Sequence, residues 1–233
     1  MSARSDHRVA LITGASRGIG AAIARRLQDE GWTLSLGMRT ETRPEGIDAS
    51  AHVIQHDCLK ADEAGWVDVV RERFGRIDVV ICSAGVMTPK SVIEATDDEL
   101  DRMWEVNVKS PRRLIRAAWP QLCESGRGRV VLLASLSGKR VKSETSGAYA
   151  MTKHAVMALN HGVRQAGWRH GVRATAVCPG FVATDMARAI TDHPAEEMTQ
   201  AEDVARLVSL ALETPNEAAV AELHVNCLLE EFY

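Results

Sequence analysis

The stretch from Val9 to Leu27, VALITGASRGIGAAIARRL, reads as a buried strand that runs through a glycine turn into an amphipathic helix. Val9, Ala10, Leu11 and Ile12 form a short apolar run, and after Gly20 the residues Ile23, Ala24 and Leu27 recur at helical spacing. Between them stands Thr13-Gly14-x-x-x-Gly18-x-Gly20, with Ser16, Arg17 and Ile19 in the gaps. A strand-to-helix turn of bare backbone lets a pyrophosphate approach the N–H groups at a helix N-terminus, where side chains would block it. The spacing differs from GxGxxG, and a glycine cluster alone is an ordinary turn signal. Its context points further, because a second apolar run ends about twenty residues on, where a dinucleotide site reads the ribose.

That ribose-reading position carries Leu34-Ser35-Leu36-Gly37-Met38-Arg39-Thr40. An acidic residue there bonds a 2′-hydroxyl, whereas an arginine pairs with a 2′-phosphate, so Arg39 favours NADP over NAD. Arg17 offers a second positive charge to the same phosphate. Glu41 argues the other way, since a shifted loop would present it to an NAD ribose. Further on, Val53 to Gln55 reads as a third strand ending in His56-Asp57, and Asp57 is placed to accept a hydrogen bond from an adenine amine.

Outward from this nucleus the totals are those of an ordinary globule. The 233 residues suit one domain over 1–233, with 45% apolar and 25% charged residues. A formal net charge of −3 provides no basic field for a nucleic-acid backbone. The opening MSARSDHR is polar and carries no signal-peptide pattern, and no apolar run approaches membrane-spanning length. Five cysteines, Cys58, Cys82, Cys123, Cys178 and Cys227, lack a CxxC pair. Cys82, Cys178 and Cys227 lie in or beside apolar runs and read as buried thiols in a reducing cytoplasm, with no metal site.

Strands and helices alternate along the rest. A second strand is expected over Trp32 to Gly37, and a helix with Trp66, Val70 and Phe74 on one face, stopped by Gly75. Val79 to Cys82 reads as a strand followed by the small-residue turn Ser83-Ala84-Gly85. Thr96-x-x-Glu99 is a capping box opening a helix with Leu100, Met103 and Trp104 inward, and Pro111 is expected to kink its continuation towards Cys123. Val130 to Ala134, Val172 to Cys178 and Ala221 to Val225 complete the strands. A helix is expected near Ala148 to Trp168, and another capped by Thr199-x-x-Glu202 with Val204, Leu207, Val208, Ala211 and Leu212 inward. The strands are apolar runs rather than alternating ones, which implies a parallel, doubly wound α/β sheet covered on both faces, a three-layer Rossmann fold.

In such a sheet the working residues gather at the carboxyl ends of the strands. Ser135 ends the fifth strand, Tyr149 and Lys153 lie on the following helix, and Asn107 sits at the kink before it. Tyr149 and Lys153, four residues apart, share a helix face, so the ammonium is expected to lower the phenol pKa from its ordinary value of about 10. Tyr149 then gives a proton to a carbonyl oxygen as hydride arrives at the carbon, and takes it back in reverse. Ser135 would hydrogen-bond the same oxygen. Asn107, through its side chain or the backbone beside it, would hold a water near Lys153.

Taken together, Thr13-Gly14-x-x-x-Gly18-x-Gly20, Asp57, Ala84-Gly85, Asn107, Ser135, Tyr149-x-x-x-Lys153 and Pro179-Gly180-Phe181-Val182-Ala183-Thr184 resemble the short-chain dehydrogenase/reductase family. The resemblance implies an NAD(P)-dependent oxidoreductase with a tetrad of Ser135, Tyr149, Lys153 and Asn107. It also implies a cofactor bed from Gly14, Ser16, Arg17, Gly18, Ile19, Gly20, Arg39, Asp57, Ala84, Gly85, Tyr149, Lys153, Pro179, Gly180, Val182 and Thr184, with Thr184 near the carboxamide or the phosphates. A homodimer or homotetramer, often joined through the helices of Asn107 and Tyr149, is implied as well. Two departures stand out. Cys82-Ser83 replaces the usual Asn-Asn, and the substrate-covering segment from Asp185 to Met198 is short, with an LLEEFY ending in place of a glycine-rich one. That short cover favours an open or small-substrate site.

The expected substrate is a small carbonyl compound or alcohol, with Val86, Met87, Ser137, Val141, Phe181 and Met186 as walls. The basic run Lys139-Arg140-Val141-Lys142 would suit a carboxylate or a phosphate-bearing acyl thioester, which keeps a 3-oxoacyl thioester reductase and a 3-hydroxy acid dehydrogenase in view. A non-catalytic nucleotide-sensing protein on the same fold is the alternative of another class.

Overall fold

β1 (Val9–Thr13) is buried along its whole length and pairs on both sides, with β2 (Thr33–Met38) and with β4 (Val79–Cys82). Its side chains alternate between two cores. Ala10 and Ile12 pack among Ile23 and Leu27 of α1 (Gly18–Asp29) and Val204, Val208 and Leu212 of α7 (Ala201–Glu213). Val9 and Leu11 face the opposite layer, made by α2 (Glu63–Phe74), α4 (Ser110–Glu124) and α5 (Gly147–Gly167). Apolar burial on both faces explains why this strand carries no polar alternation.

The computed structural model describes residues 7–229. Residues 1–6 of the polar opening and residues 230–233 of the LLEEFY ending lie outside the described residues. With β3 (His52–Gln55), β5 (Arg129–Leu133), β6 (Arg173–Pro179) and β7 (Glu222–Val225), the described residues form a seven-stranded sheet ordered β3-β2-β1-β4-β5-β6-β7, parallel at every pairing. The winding reverses between β1 and β4, and a crevice opens there at the carboxyl ends of the strands. Two short helices, α3 (Asp97–Trp104) and α6 (Asp185–Arg188), flank that end. No helix among the described residues is long and apolar enough to cross a membrane.

Several boundaries differ from the sequence expectation, each for a local reason. β2 begins at Thr33, because Trp32 is held outside the strand under the Arg8 guanidinium, 3.9 Å from the ring centre. α7 is capped by Gln200 and Asp203 rather than by Thr199 and Glu202. Thr199 is bridged in parallel to Val182, so the chain is still extended where the sequence pattern starts the helix. At Pro111 the expectation of a helix irregularity holds: the chain stays helical from α3 into α4 through a π-helical turn at Glu105–Lys109 directly ahead of Pro111, whose missing N–H interrupts the i to i−4 ladder there. The Thr96 capping box closes in both directions as expected. Cys58, Cys82 and Cys178 are buried, but Cys227, just past β7, is only half-buried.

Candidate active site

The glycine turn is nested against the turn that follows β4. Gly14 has φ +65°, and a Cβ there would stand 2.7 Å from Ala84 Cα; a Cβ on Gly20 would stand 2.4 Å from the Gly14 carbonyl oxygen. Neither position has room for a side chain. The Thr13 hydroxyl accepts hydrogen bonds from the N–H groups of Ser83 and Ala84, both at 3.1 Å, and locks the two turns together. α1 starts at Gly18, and Arg17 before it places no side-chain acceptor on the first-turn amides. An uncapped helix N-terminus at a crevice is a ready anion site, so the residues present fit a dinucleotide pyrophosphate.

A cavity of about 1040 Å³ crosses this end of the sheet. Gly14, Ser16, Arg17, Gly18, Ile19, Gly20, Arg39, Asp57, Ala84, Gly85, Ser135, Tyr149, Lys153, Pro179, Gly180, Val182 and Thr184 all line it. Asn107 does not; it stands behind the wall. At the ribose end Arg39 faces the cavity, while Glu41 accepts a hydrogen bond from the Gln55 N–H at 3.2 Å at the end of β3. Arg17 pairs with Asp185 of α6 at 2.5 Å, across the cavity mouth rather than towards Arg39. Asp57 accepts from the Leu59 N–H at 3.1 Å, a bond that fixes its loop.

At the other end, Tyr149 and Lys153 occupy the first turns of α5, both buried. Lys153 Nζ donates to the Leu133 carbonyl at 2.6 Å and lies 5.4 Å from the centre of the Tyr149 ring. A Cβ added to Gly85 would stand 3.6 Å from Asn107 Oδ1 and 3.8 Å from Lys153 Nζ, so these three residues converge. The Asn107 side chain is fully engaged. Its Oδ1 accepts from the Val86 N–H at 2.9 Å, and its Nδ2 donates to the Val86 carbonyl at 2.9 Å and to Thr152 Oγ1 at 3.0 Å. It pins the turn after β4 to α5, which leaves backbone rather than side chain as the possible water holder.

The phenol acidity runs against the sequence expectation. Burial pushes the Tyr149 phenol well above its ordinary value, and a hydrogen bond with Ser135 offsets only part of the rise. Burial also pulls Lys153 down to about 8, so the amine is still mostly charged at pH 7 but gives up its proton just above neutrality rather than in the usual lysine range. Helical spacing puts the two groups side by side, but loss of water outweighs their proximity.

Sequence reasoning missed Arg113. Its guanidinium grips the buried Glu63 carboxylate with bonds of 2.7 and 2.9 Å, the Cys58 carbonyl at 2.9 Å and the Glu105 carboxylate. Burial opposes the charge on Glu63, yet the two hydrogen bonds and the charge of Arg113 win and hold the carboxyl below its usual range. One arginine thereby ties the loop carrying Asp57 to the π-helical turn carrying Asn107. The partners lie 50 and 8 residues away, and no helical or strand period signals them.

On the substrate side, Val86, Met87, Ser137, Phe181 and Met186 line the cavity, but Val141 does not, being 59% exposed. Lys139 is paired with Glu222 of β7 at 2.8 Å, so the basic run does not act as a unit. Arg140 and Lys142 do line the cavity, joined by Arg102 from α3.

A sequence model described as short chain dehydrogenase matches residues 8–195. The chain belongs to the short-chain dehydrogenase/reductase family. It is accordingly an oxidoreductase of a family that binds nicotinamide cofactors. An agropine synthesis reductase of Rhizobium rhizogenes is 39% identical over 234 residues, covering 97% of this chain and 54% of that protein. The chain thus spans about half the length of the agropine synthesis reductases it matches. An uncharacterized oxidoreductase of Staphylococcus epidermidis is 31% identical and is covered over 98% of its length by 96% of this chain. Among solved structures, an alcohol dehydrogenase from the archaeon Thermococcus sibiricus, complexed with 5-hydroxy-NADP, superimposes with a TM-score of 0.86 at 31% identity, covering 98% of this chain and 100% of that one. A metagenomic short-chain oxidoreductase in complex with NADP gives 0.80 at 28% identity, over 96% and 98% of the two chains.

Proposed function

We propose that this oxidoreductase interconverts a ketone or aldehyde and the corresponding alcohol with NADP(H), with Tyr149 as the general acid of reduction and the general base of oxidation. The observation that carries this reading is the convergence of Tyr149, Lys153 and Ser135 on one end of a cavity whose other end carries Arg39 and no facing carboxylate at the ribose position. When bound, the nicotinamide cofactor supplies the hydride and, oxidised, a positive ring that favours the phenolate. The chain's own residues do the rest. First-turn amides of α1 hold the pyrophosphate, and Arg39 pairs with a 2′-phosphate. Ser135 donates to the carbonyl oxygen as charge develops there. Lys153 relays a proton past Leu133, and Asn107 positions the turn of Val86 against which the substrate rests.

The two NADP-bound relatives support the cofactor choice by analogy. Residues 1–233 act in this reading as one cofactor and catalytic unit, assembled as a homodimer or homotetramer through the helices of Asn107 and Tyr149. Arg140 and Lys142 at the cavity favour one narrower reading, a substrate with a carboxylate or phosphate such as a 3-oxo acid or a 3-oxoacyl thioester. The test is the rate of NADPH and, separately, NADH oxidation against ketones, aldehydes, 3-oxo acids and 3-oxoacyl thioesters. Turnover with NADPH well above NADH supports the reading. Equal rates with NADH remove the Arg39 argument, and cofactor binding without any turnover favours a nucleotide-sensing role.

A further inference from the structure

At the opposite end of the strands lies a second, smaller hollow of about 200 Å³, shared between the amino ends of β1, β4 and β5. Arg8, Arg76, Arg127, Arg129, Asp78 and Trp32 are in its wall, and none of them borders the large cavity. Of the four guanidiniums, those of Arg76 and Arg8 meet carboxylates. Arg76 grips Asp78 with bonds of 2.9 and 2.7 Å, and Arg8 meets Glu213 at 2.5 Å. Arg127 and Arg129 have only neutral acceptors among the described residues. Arg127 donates to the Glu213 carbonyl at 2.6 Å, and Arg129 to the Thr214 carbonyl at 2.7 Å and to Asn216 Oδ1 at 2.9 Å. Those carbonyls end α7, and a helix C-terminus carries about half a negative charge against two whole positive ones.

Half of that excess is held away from water, since Arg129 is only 4% exposed, while Arg127 stands at the solvent side of the hollow. Burial, and then the like charges of Arg127, Arg173 and Arg8, pull its pKa down to about 10. A second observation is independent of charge. Trp32 Nε1 is sealed from solvent and has no hydrogen-bond partner, although a buried N–H is nearly always paired. Its ring lies under the Arg8 guanidinium. Surplus guanidinium and an unmet N–H donor on one hollow are the complement of a small anion with several acceptor oxygens.

We propose that this hollow binds a phosphate group, as inorganic phosphate or a small phosphate monoester, through Arg127, Arg129 and the Trp32 N–H. A dianion matches the two uncompensated charges. The hollow's volume excludes a dinucleotide, so this site is separate from the cofactor bed.

The test is isothermal titration of the purified chain with inorganic phosphate at constant ionic strength, with chloride as the replaced ion. Three variants accompany it. Trp32→Phe keeps an aromatic ring and deletes the N–H, Arg127→Ala removes an exposed guanidinium, and Arg39→Ala removes the guanidinium at the ribose end of the large cavity. The expected result is a saturable phosphate site that is retained in Arg39→Ala and weakened about tenfold or more in each of the other two, which separates it from any phosphate held by the first-turn amides of α1. Glycerol phosphate in a parallel titration binds more tightly if the natural ligand is an ester, and less tightly if it is inorganic phosphate. Absence of saturable binding in the parent overturns the proposal. So does binding that Arg39→Ala abolishes, or that either Trp32→Phe or Arg127→Ala leaves unchanged.

Discussion

The two sides of the large cavity are built from different materials. On the side of the glycine turn the wall is main chain: Gly14 and Gly20 nest where no Cβ fits, and Thr13 clips the next turn through two N–H groups. On the opposite side it is made of side chains from short turns and α6, and two charges there are tied to distant partners, Lys139 to Glu222 and Asp185 to Arg17 of the glycine turn. A wall of backbone leaves its trace in residue type and spacing, because only glycine or a small residue satisfies it. A wall of side chains depends on partners brought from afar, and its chemistry emerges only with the fold.

The strongest way to test where the two sides meet is Tyr149→Phe. Turnover should fall by about 10³-fold or more while NADPH affinity, measured by nucleotide fluorescence, stays within a factor of about two. Unchanged turnover would remove the proton donor from the junction. Next in size is Arg113→Met, which leaves the buried Glu63 carboxylate unpaired. Unfolding in urea should show a loss of about 3 kcal/mol, and a change below about 1 kcal/mol would mean that water replaces the clamp.

Lys153 links the comparison to pH. Its folded-state pKa of about 8 lies below the unfolded value of 10.5, so between those pH values the unfolded chain binds more protons. Stability therefore rises with pH across that window, and below pH 8 the full penalty of burying the cation is present, about 3 kcal/mol. In Lys153→Met that slope should vanish from urea titrations at pH 7 and pH 10; an equal slope in both proteins would mean that the amine is solvated in the folded chain.

Smaller effects separate the sides from each other. Arg39→Ala should shift the NADPH-to-NADH ratio of kcat/KM by about tenfold through KM alone, as removal of one charge-assisted phosphate contact requires. Last, Lys142→Ala should raise KM for carboxylate substrates by a few-fold, on the order of one surface charge contact, whereas Lys139→Ala should not. The reverse order would mean that Glu222 releases Lys139 in solution.

What was legible in the sequence follows the same division. β1, the glycine turn and α1 are readable because a buried strand, a bare turn and a helical period each exclude most residue types. The strands that follow are readable as apolar runs, and with them the parallel sheet. The start of β2 and the cap of α7 escape by one residue, since Trp32 is placed by Arg8 and Thr199 by Val182, contacts absent from any local pattern. Within the site, i and i+4 spacing correctly juxtaposes Tyr149 and Lys153, but the direction of the phenol shift depends on burial, which only tertiary packing sets. Asn107 stands out as a polar residue at a helix irregularity, yet its two hydrogen bonds with the Val86 backbone and the one it donates to Thr152 join three separate segments. Arg113 is one of several arginines on α4, and nothing in its neighbourhood separates it from Arg112 or Arg116.

The clip from Thr13 to Ser83 and Ala84 spans 70 and 71 residues of chain. The nucleotide turn is therefore no local motif that the first βα unit makes by itself; it is finished only when β4 arrives beside β1. Helices form in about a microsecond or less, whereas pairing of strands so distant in sequence waits on loop closure. In a refolding chain the helical signal of α1 precedes the capacity to hold a dinucleotide, and the first bound nucleotide marks the closing of the sheet's centre.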